Sequence, residues 1–349
     1  MQSTARFSRP SWLNHGMCAS SRTLLVLALQ SCCVTAIAWG ANISETRRAD
    51  AARETAQSSA QCKSVQPFYW EIGDANGAKA GGAMGSNAAA HDAQLHIASA
   101  SKLIYAAYVA ERRDGKLTDD DLRFLNFTSG YTRFRLCRRN QTVAACLGNF
   151  LNGSGKPDPA TQGLFDYNGG HMQEHANLMG LGDMDDDALA GEIHHGLQKL
   201  GTGWKFSYAQ AQPAGGGVSS VADYALFLRS IVNGDLQIGK LLGTHKVCTN
   251  PKTCPGIAVK TPIPLEETWH YSIGHWVEDD PKVGDGAFSS PGAFGFYPWI
   301  SADKHTYGIV GRESRHGLFS AEDEEKPGVQ SVNCGREIRA AWMSGEARQ

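Results

Sequence analysis

The chain has no excess of basic residues: 33 Lys and Arg stand against 35 Asp and Glu among 349 residues, a net charge of −2. Nothing in that balance would hold a phosphate backbone, so nucleic-acid binding is excluded. Long apolar runs are scarce. The single one, residues 24–38 (LLVLALQSCCVTAIA), is shorter than the roughly 20 residues a spanning helix needs. A polytopic membrane protein is therefore excluded. No CxxC pair occurs, which argues against a zinc ribbon. Gly-x-Ser-x-Gly is absent, and with it the nucleophile elbow of an α/β-hydrolase; Gly-rich nucleotide loops, EF-hand patterns and internal repeats are absent too. What is present is apolar material: 42% hydrophobic residues, with 8 Trp, 13 Phe and 10 Tyr. A wholly disordered chain is ruled out.

The apolar run follows Arg6, Arg9 and Arg22 and ends at Ala36-Ile37-Ala38, the three parts of a secretory signal. Cleavage after Ala38 makes residues 1–38 a signal peptide, with cleavage after Gly40 the second choice. A lipid anchor at Cys32 and an uncleaved membrane anchor are the competing readings. Contact with a membrane arises only through one of these, and the expected location is periplasmic or secreted. Removing the signal leaves six cysteines: Cys62, Cys137, Cys146, Cys248, Cys254 and Cys334. An even count in an exported chain reads as disulfides. Of fifteen possible pairings the spacings favour Cys137–Cys146 and Cys248–Cys254 as short loops, leaving Cys62–Cys334 to join the start of the fold to its end.

Residues 39–61 are polar and without aromatics beyond their first positions, and read as a flexible leader; residues 62–349 form the expected domain. From Val65 the pattern becomes strand-like (VQPFYWEIG), followed by a Gly-rich turn region, GDANGAKAGGAMG. Residues 99–113 are helical, with Leu103, Ala106, Ala107 and Ala110 on one face and Gly115 as the stop. Residues 152–170 read as a long loop, and 219–233 as a second helix capped by Ser219 or Ser220. Residues 270–278, 293–300 and 305–312 are aromatic and β-branched runs that suggest adjacent antiparallel strands, and a closing helix is expected over 335–343. Strands at both ends with helices between them predict one α+β domain.

Ser99-Ala100-Ser101-Lys102 is the sharpest chemical feature. Residues three apart share a helix face, so the Ser99 hydroxyl and the Lys102 amine can meet. A serine hydroxyl is a poor nucleophile until a base takes its proton, and a lysine withdrawn from water can be that base. At a helix start the Ser99 N–H also points where an oxyanion would form. The bland alternative is an N-cap serine beside a surface lysine.

Context strengthens the chemical reading. HIASASKLIYAAYVAERRDGKLTDDDL resembles the active-site helix of the serine β-lactamase and penicillin-binding protein superfamily, in its class C-like and esterase-like branch. GGGVSSVADYALFLRSIVNGD and SPGAFGFYPWISADKHTYGIVGRE resemble the branch's later blocks, in the same order, over about residues 65–345. The resemblance implies a β-lactamase/transpeptidase-like fold, an antiparallel sheet built from both chain ends with a helical region between. It implies Ser99 as nucleophile, Lys102 as base and a Tyr-x-Asn element at Phe165-Asp166-Tyr167-Asn168. There Asn168 directly follows Tyr167, a departure; Tyr167 is taken as the proton carrier and Asn168 as a substrate contact, and Asp166-x-Asn168 is a second way to align the element. The third element, Lys-Thr-Gly in lactamases, falls at Ser290-Pro291-Gly292-Ala293. Ser290 and Gly292 are then substrate-side residues, and the Ala293 N–H is the second oxyanion donor. The missing cation ranks an ester or amide above a β-lactam or D-Ala peptide.

The expectation is an exported serine hydrolase acting through an acyl-enzyme, without cofactor, on a small-molecule or peptidoglycan-like acyl substrate. One alternative keeps the fold as a non-catalytic periplasmic ligand-binding or sensor protein. The other is a zinc metallopeptidase, since His171-Met172-Gln173-Glu174-His175 matches HxxEH. The acidic run 183–187 reads as a solvated helix start. Trp70, Trp269, Trp276 and Trp299 read as core, with Trp299 near enough to the third element to touch substrate.

Overall fold

The computed structural model describes residues 43–315 and 325–349; the expected signal peptide lies outside them. In chain order the strands are β1 (Phe68–Asp74), β2 (Gly77–Met84), β3 (Leu95–His96), β4 (Phe165–Asp166), β5 (Phe206–Tyr208), β6 (Gly217–Ser219), β7 (Val247–Cys248), β8 (Ala258–Lys260), β9 (His270–Ser272), β10 (His275–Glu278), β11 (Ala287–Ser289), β12 (Tyr297–Ile300) and β13 (Thr306–Gly311). The helices that matter here are α1 (Glu45–Ser58), α2 (Ser101–Arg112), α3 (Asp119–Leu125), α4 (Gly170–Ala176), α5 (Asp186–Gly196), α6 (Val221–Val232) and α7 (Pro327–Ser344).

Eight strands form one antiparallel sheet in the order β2-β1-β13-β12-β11-β10-β9-β7. The last strand pairs with the first, so both chain ends build the sheet, and helices α2 to α5 lie in the sequence between. The fold class is α+β. The sheet is buried on both faces. Gly311 of β13 has no room for a Cβ because Val221 of α6 stands against it, whereas Gly335 of α7 fits against Tyr297 and Trp299 of β12. Tyr297 pairs with Val310, the neighbour of Gly311, and neighbours in a strand point to opposite faces. Helices α6 and α7 therefore cover opposite sides.

Local chemistry explains the helices. Ser220 caps α6 by accepting from the Asp223 N–H, Thr118 and Asp121 form a reciprocal capping box on α3, and Asp185 caps α5. Asp186 and Asp187 then fill the first turn of α5, the solvated helix start that the acidic run suggested.

Three expectations are corrected. The supposed flexible leader is, over its described part, helix α1, with Ala51, Ala52, Thr55 and Ala56 buried and α7 as its packing partner. Alanine is a weak hydrophobic signal, so the stripe is hidden among Arg and Glu. The Gly-rich turn region is the strand β2, whose glycines allow it to pair closely with β1; a Cβ on Gly81 would meet the Trp70 carbonyl at 2.7 Å. The closing helix begins at Pro327, earlier than the apolar pattern indicated, because Pro at its start fits the first turn.

The six described cysteines form Cys62–Cys334, Cys137–Cys146 and Cys248–Cys254. The fully buried Glu278 of β10 binds Arg339 at 2.9 Å, Arg336 at 3.1 Å and the Tyr297 hydroxyl at 2.6 Å, fastening α7 to the sheet.

Candidate active site

Strand β3 runs into a short 3₁₀ turn, Ala98–Ala100, and directly into α2. Ala98 is left-handed, with φ of 45°, and this tight turn lifts Ser99 out of the helix line. Three side chains hold it there, two of them, Ser101 and Tyr224, outside the expected set. Ser101 Oγ donates to the Ala98 carbonyl at 2.6 Å and accepts from the Gly217 N–H at 3.0 Å. The Tyr224 hydroxyl donates to the Ala100 carbonyl at 2.8 Å. Ser290 Oγ donates to the Ser99 carbonyl at 3.1 Å.

One helical turn on, Lys102 Nζ donates to Ser99 Oγ at 2.9 Å and to the Ala214 carbonyl at 2.6 Å. The lysine is 4% exposed, and its ammonium sits 4.9 Å from the centre of the Tyr167 ring and 6.0 Å from that of Phe127. Among the described residues no carboxylate pairs with it. Burial without a counter-charge lowers its pKa from the usual lysine value to about 7. Tyr167 follows β4 and is anchored by its N–H to the Lys260 carbonyl at 2.9 Å. Burial pushes its phenol up to about 12, against the opposing pull of hydrogen bonds from Ser99 and Trp276. The phenol is thus protonated at neutral pH while the amine is poised to be free base. Ser99, Lys102 and Tyr167 are brought together.

The third element is split by the structure. Gly292 needs its lack of a side chain, since a Cβ would lie 2.2 Å from the Ile97 carbonyl. Ala293 is exposed at the cleft. Among the described residues neither the Ser99 nor the Ala293 N–H has an acceptor within the protein, as a pair of oxyanion donors requires. Ser290, by contrast, is 2% exposed and spends its hydroxyl on the Ser99 carbonyl, so it positions the turn and does not face substrate. Asn168 is also corrected. Its amide donates to the Thr132 and Phe134 carbonyls at 2.8 and 3.1 Å and accepts from the Gly170 N–H, and it does not line the cleft. The side chain shapes the loop behind Tyr167.

The HxxEH pattern has another use. On α4, His171 bonds to Ser129 Oγ at 2.7 Å and to the Asp166 carbonyl at 3.0 Å, while His175 bonds to Tyr105 and Asp121, each at 2.9 Å. Every ring nitrogen is occupied, the two histidines serve different partners, and no group of three metal-ligating side chains occurs among the described residues. Burial drives the His171 pKa down to about 3, keeping it neutral behind Tyr167.

A cavity of about 210 Å³ opens at Ser99, with Tyr167, Trp276 and Trp269 on one side and Gly292 and Ala293 on another. The two tryptophans were read as core; they are buried, but each turns one surface to this cavity. Trp299, expected near substrate, is 1% exposed and stacks on Tyr297 inside the sheet–helix layer.

Neither a protein-family model nor a curated protein matches the chain. Solved structures do. A protein of Bacteroides dorei assigned as a beta-lactamase shares 20% identity at a TM-score of 0.59, covering 80% of this chain and 95% of that one. EstCE1, a hydrolase with promiscuous acyltransferase activity, shares 12% at 0.58, covering 84% and 98%. The octameric penicillin-binding protein homologue of Pyrococcus abyssi shares 14% at 0.56, covering 82% and 75%. The chain has the β-lactamase/transpeptidase-like fold. In this fold the chain places Ser99 on the turn ahead of a central helix, Tyr167 on the facing loop, and Gly292-Ala293 beyond the sheet strand β11. Sequence reasoning missed Ser101, Tyr224 and the Ala214 carbonyl, whose roles depend on contacts across more than a hundred residues.

Proposed function

We propose that this protein is an exported serine hydrolase that works through an acyl-enzyme on Ser99. The observation that carries the reading is the 2.9 Å contact between Ser99 Oγ, which lines a cavity, and a buried Lys102 amine that has no carboxylate partner among the described residues. Neutral Lys102 takes the Ser99 proton as Oγ attacks a carbonyl carbon. The N–H groups of Ser99 and Ala293 hold the resulting oxyanion. Tyr167 passes its phenolic proton to the leaving group and is reprotonated from the Lys102 ammonium. Water then adds to the acyl-enzyme, giving up a proton along the same path, and the acid leaves with Ser99 restored.

An ester or amide is favoured over a β-lactam or D-Ala peptide because Ser290-Pro291-Gly292 supplies no cation for a substrate carboxylate. Three disulfides support a periplasmic or secreted location, and among the described residues no helix is long and apolar enough to cross a membrane. Intact-mass measurement after exposure to a fluorophosphonate, an activated ester and a β-lactam tests the proposal. The fluorophosphonate adduct is expected on Ser99 and absent from Ser99→Ala. An adduct that persists in Ser99→Ala refutes it.

A further inference from the structure

The cavity beside Ser99 has walls the catalytic account does not use. Pro262, Ile263 and Pro264 line it from the loop after β8, and Val329 and Val332 from α7, together with Trp269 and Trp276. Its charged members are already committed. Arg336 donates to Glu267 at 2.8 Å and to the buried Glu278 at 3.1 Å, and lies 4.7 Å over the Trp269 ring. Glu267 also accepts from Trp269 Nε1 at 2.7 Å, Asn333 donates to Glu325, and Lys326 is not without a partner. A substrate carboxylate that paired with Arg336 would draw it away from Glu278 and leave a buried charge unpaired, an unfavourable exchange. A neutral apolar group asks for no such exchange.

Size narrows the class further. An apolar cavity of roughly 150 Å³ is enough to hold benzene; this one measures about 210 Å³ and is walled by two indoles, three branched aliphatics and prolines. Resting on the acyl-enzyme reading above, we propose that the cavity is an acyl-specificity pocket for neutral aromatic or branched acyl groups about the bulk of a phenylacetyl. The acyl part is the one that stays attached to Ser99 through deacylation, so it is the part that must be held beside the serine while the leaving group departs.

The test uses p-nitrophenyl esters that share a leaving group and differ only in the acyl part: acetate, phenylacetate and 4-carboxyphenylacetate. Phenylacetate is expected to exceed acetate in kcat/KM by at least about tenfold, the discrimination a single added methylene in an apolar pocket begins to give. The 4-carboxy ester is expected to fall at least about tenfold below phenylacetate. Val329→Trp, at a half-buried position on the cavity wall, is expected to bring the phenylacetate-to-acetate ratio toward unity. Equal kcat/KM across the three esters, a fastest carboxy ester, or an unchanged ratio in Val329→Trp overturns the pocket assignment, while a Ser99 acyl adduct in the same samples leaves the hydrolase reading standing. If no ester gives an adduct and a fluorophosphonate does not label Ser99, both fall together.

Discussion

A lysine that acts as a base near neutral pH has to be kept from its ordinary ammonium form, and here burial alone does so. With the Lys102 pKa at about 7, acylation by an activated ester is expected to rise between pH 6 and 8 with a midpoint near 7, then to stay level. Tyr167, raised to about 12, stays protonated throughout, so it imposes no falling limb below pH 11. Stopped-flow acylation against pH reads this directly; a midpoint near the usual lysine value would show that Lys102 is not the base. Lys102→Arg, which keeps the charge permanently, is expected to slow acylation by at least about 10²-fold. Ser101 makes a different kind of contribution. Ser101→Ala leaves the Gly217 N–H without its acceptor inside the core and frees the Ala98 turn. It is expected to cost about 1–3 kcal/mol in denaturant unfolding and to lower kcat more than it raises KM, because the nucleophile is held less firmly.

Among the elements, α7 does the most to connect the fold with the site. Its Arg336 and Arg339 bind Glu278, and Arg339 also grips Asp285 with two hydrogen bonds at 2.6 and 2.9 Å. Burial alone would raise the Glu278 carboxyl, but the two guanidinium groups outweigh it and its pKa is lowered. A carboxyl with a depressed folded pKa adds stability above its unfolded value, about 4.3, and loses it as the pH falls below that. Arg339→Met is expected to destabilise the protein by about 3–5 kcal/mol, measured by urea unfolding at pH 7, because it leaves a buried carboxylate half-paired. The loss should shrink as the pH drops below 4. Whether such elements can be seen in the sequence depends on how strong their apolar stripe is. Helix α6 declares itself through Tyr224, Phe227, Leu228 and Ile231 with Ser220 as cap, and β1 through Phe68, Trp70 and Ile72. Helix α1 does not, because its buried face is alanine and threonine and makes sense only against α7. Strand β2 hides for the related reason that glycine carries no pattern. The site divides the same way: Ser99 and Lys102 are readable because one helical turn relates them, whereas the roles of Ser290 and Asn168 were set by carbonyls distant in sequence.

Over the whole molecule the ends of the described domain are joined through the sheet pair β1–β13, through Cys62–Cys334 and through α1 packed on α7. The second link spans 272 residues, against 9 for Cys137–Cys146 and 6 for Cys248–Cys254. If a cross-link stabilises chiefly by restricting the unfolded chain, its worth grows with the loop it closes, giving about 5 kcal/mol for the long link and roughly 2–3 for each short one. Three double variants, each replacing one cystine by two alanines, turn this into a measurement, with denaturant midpoints and m-values recorded in parallel. Cys62→Ala/Cys334→Ala is expected to lose the most, and to raise m because its unfolded state is the most expanded. Cys334 also lies on α7 between Val332 and Arg336, two residues that line the cavity beside Ser99. Losing this link should therefore loosen the pocket before it touches the catalytic groups, raising KM for a bulky acyl ester more than for an acetyl ester while kcat for acetyl holds. Equal losses from all three variants would mean that local packing, not chain entropy, sets the value of these bonds.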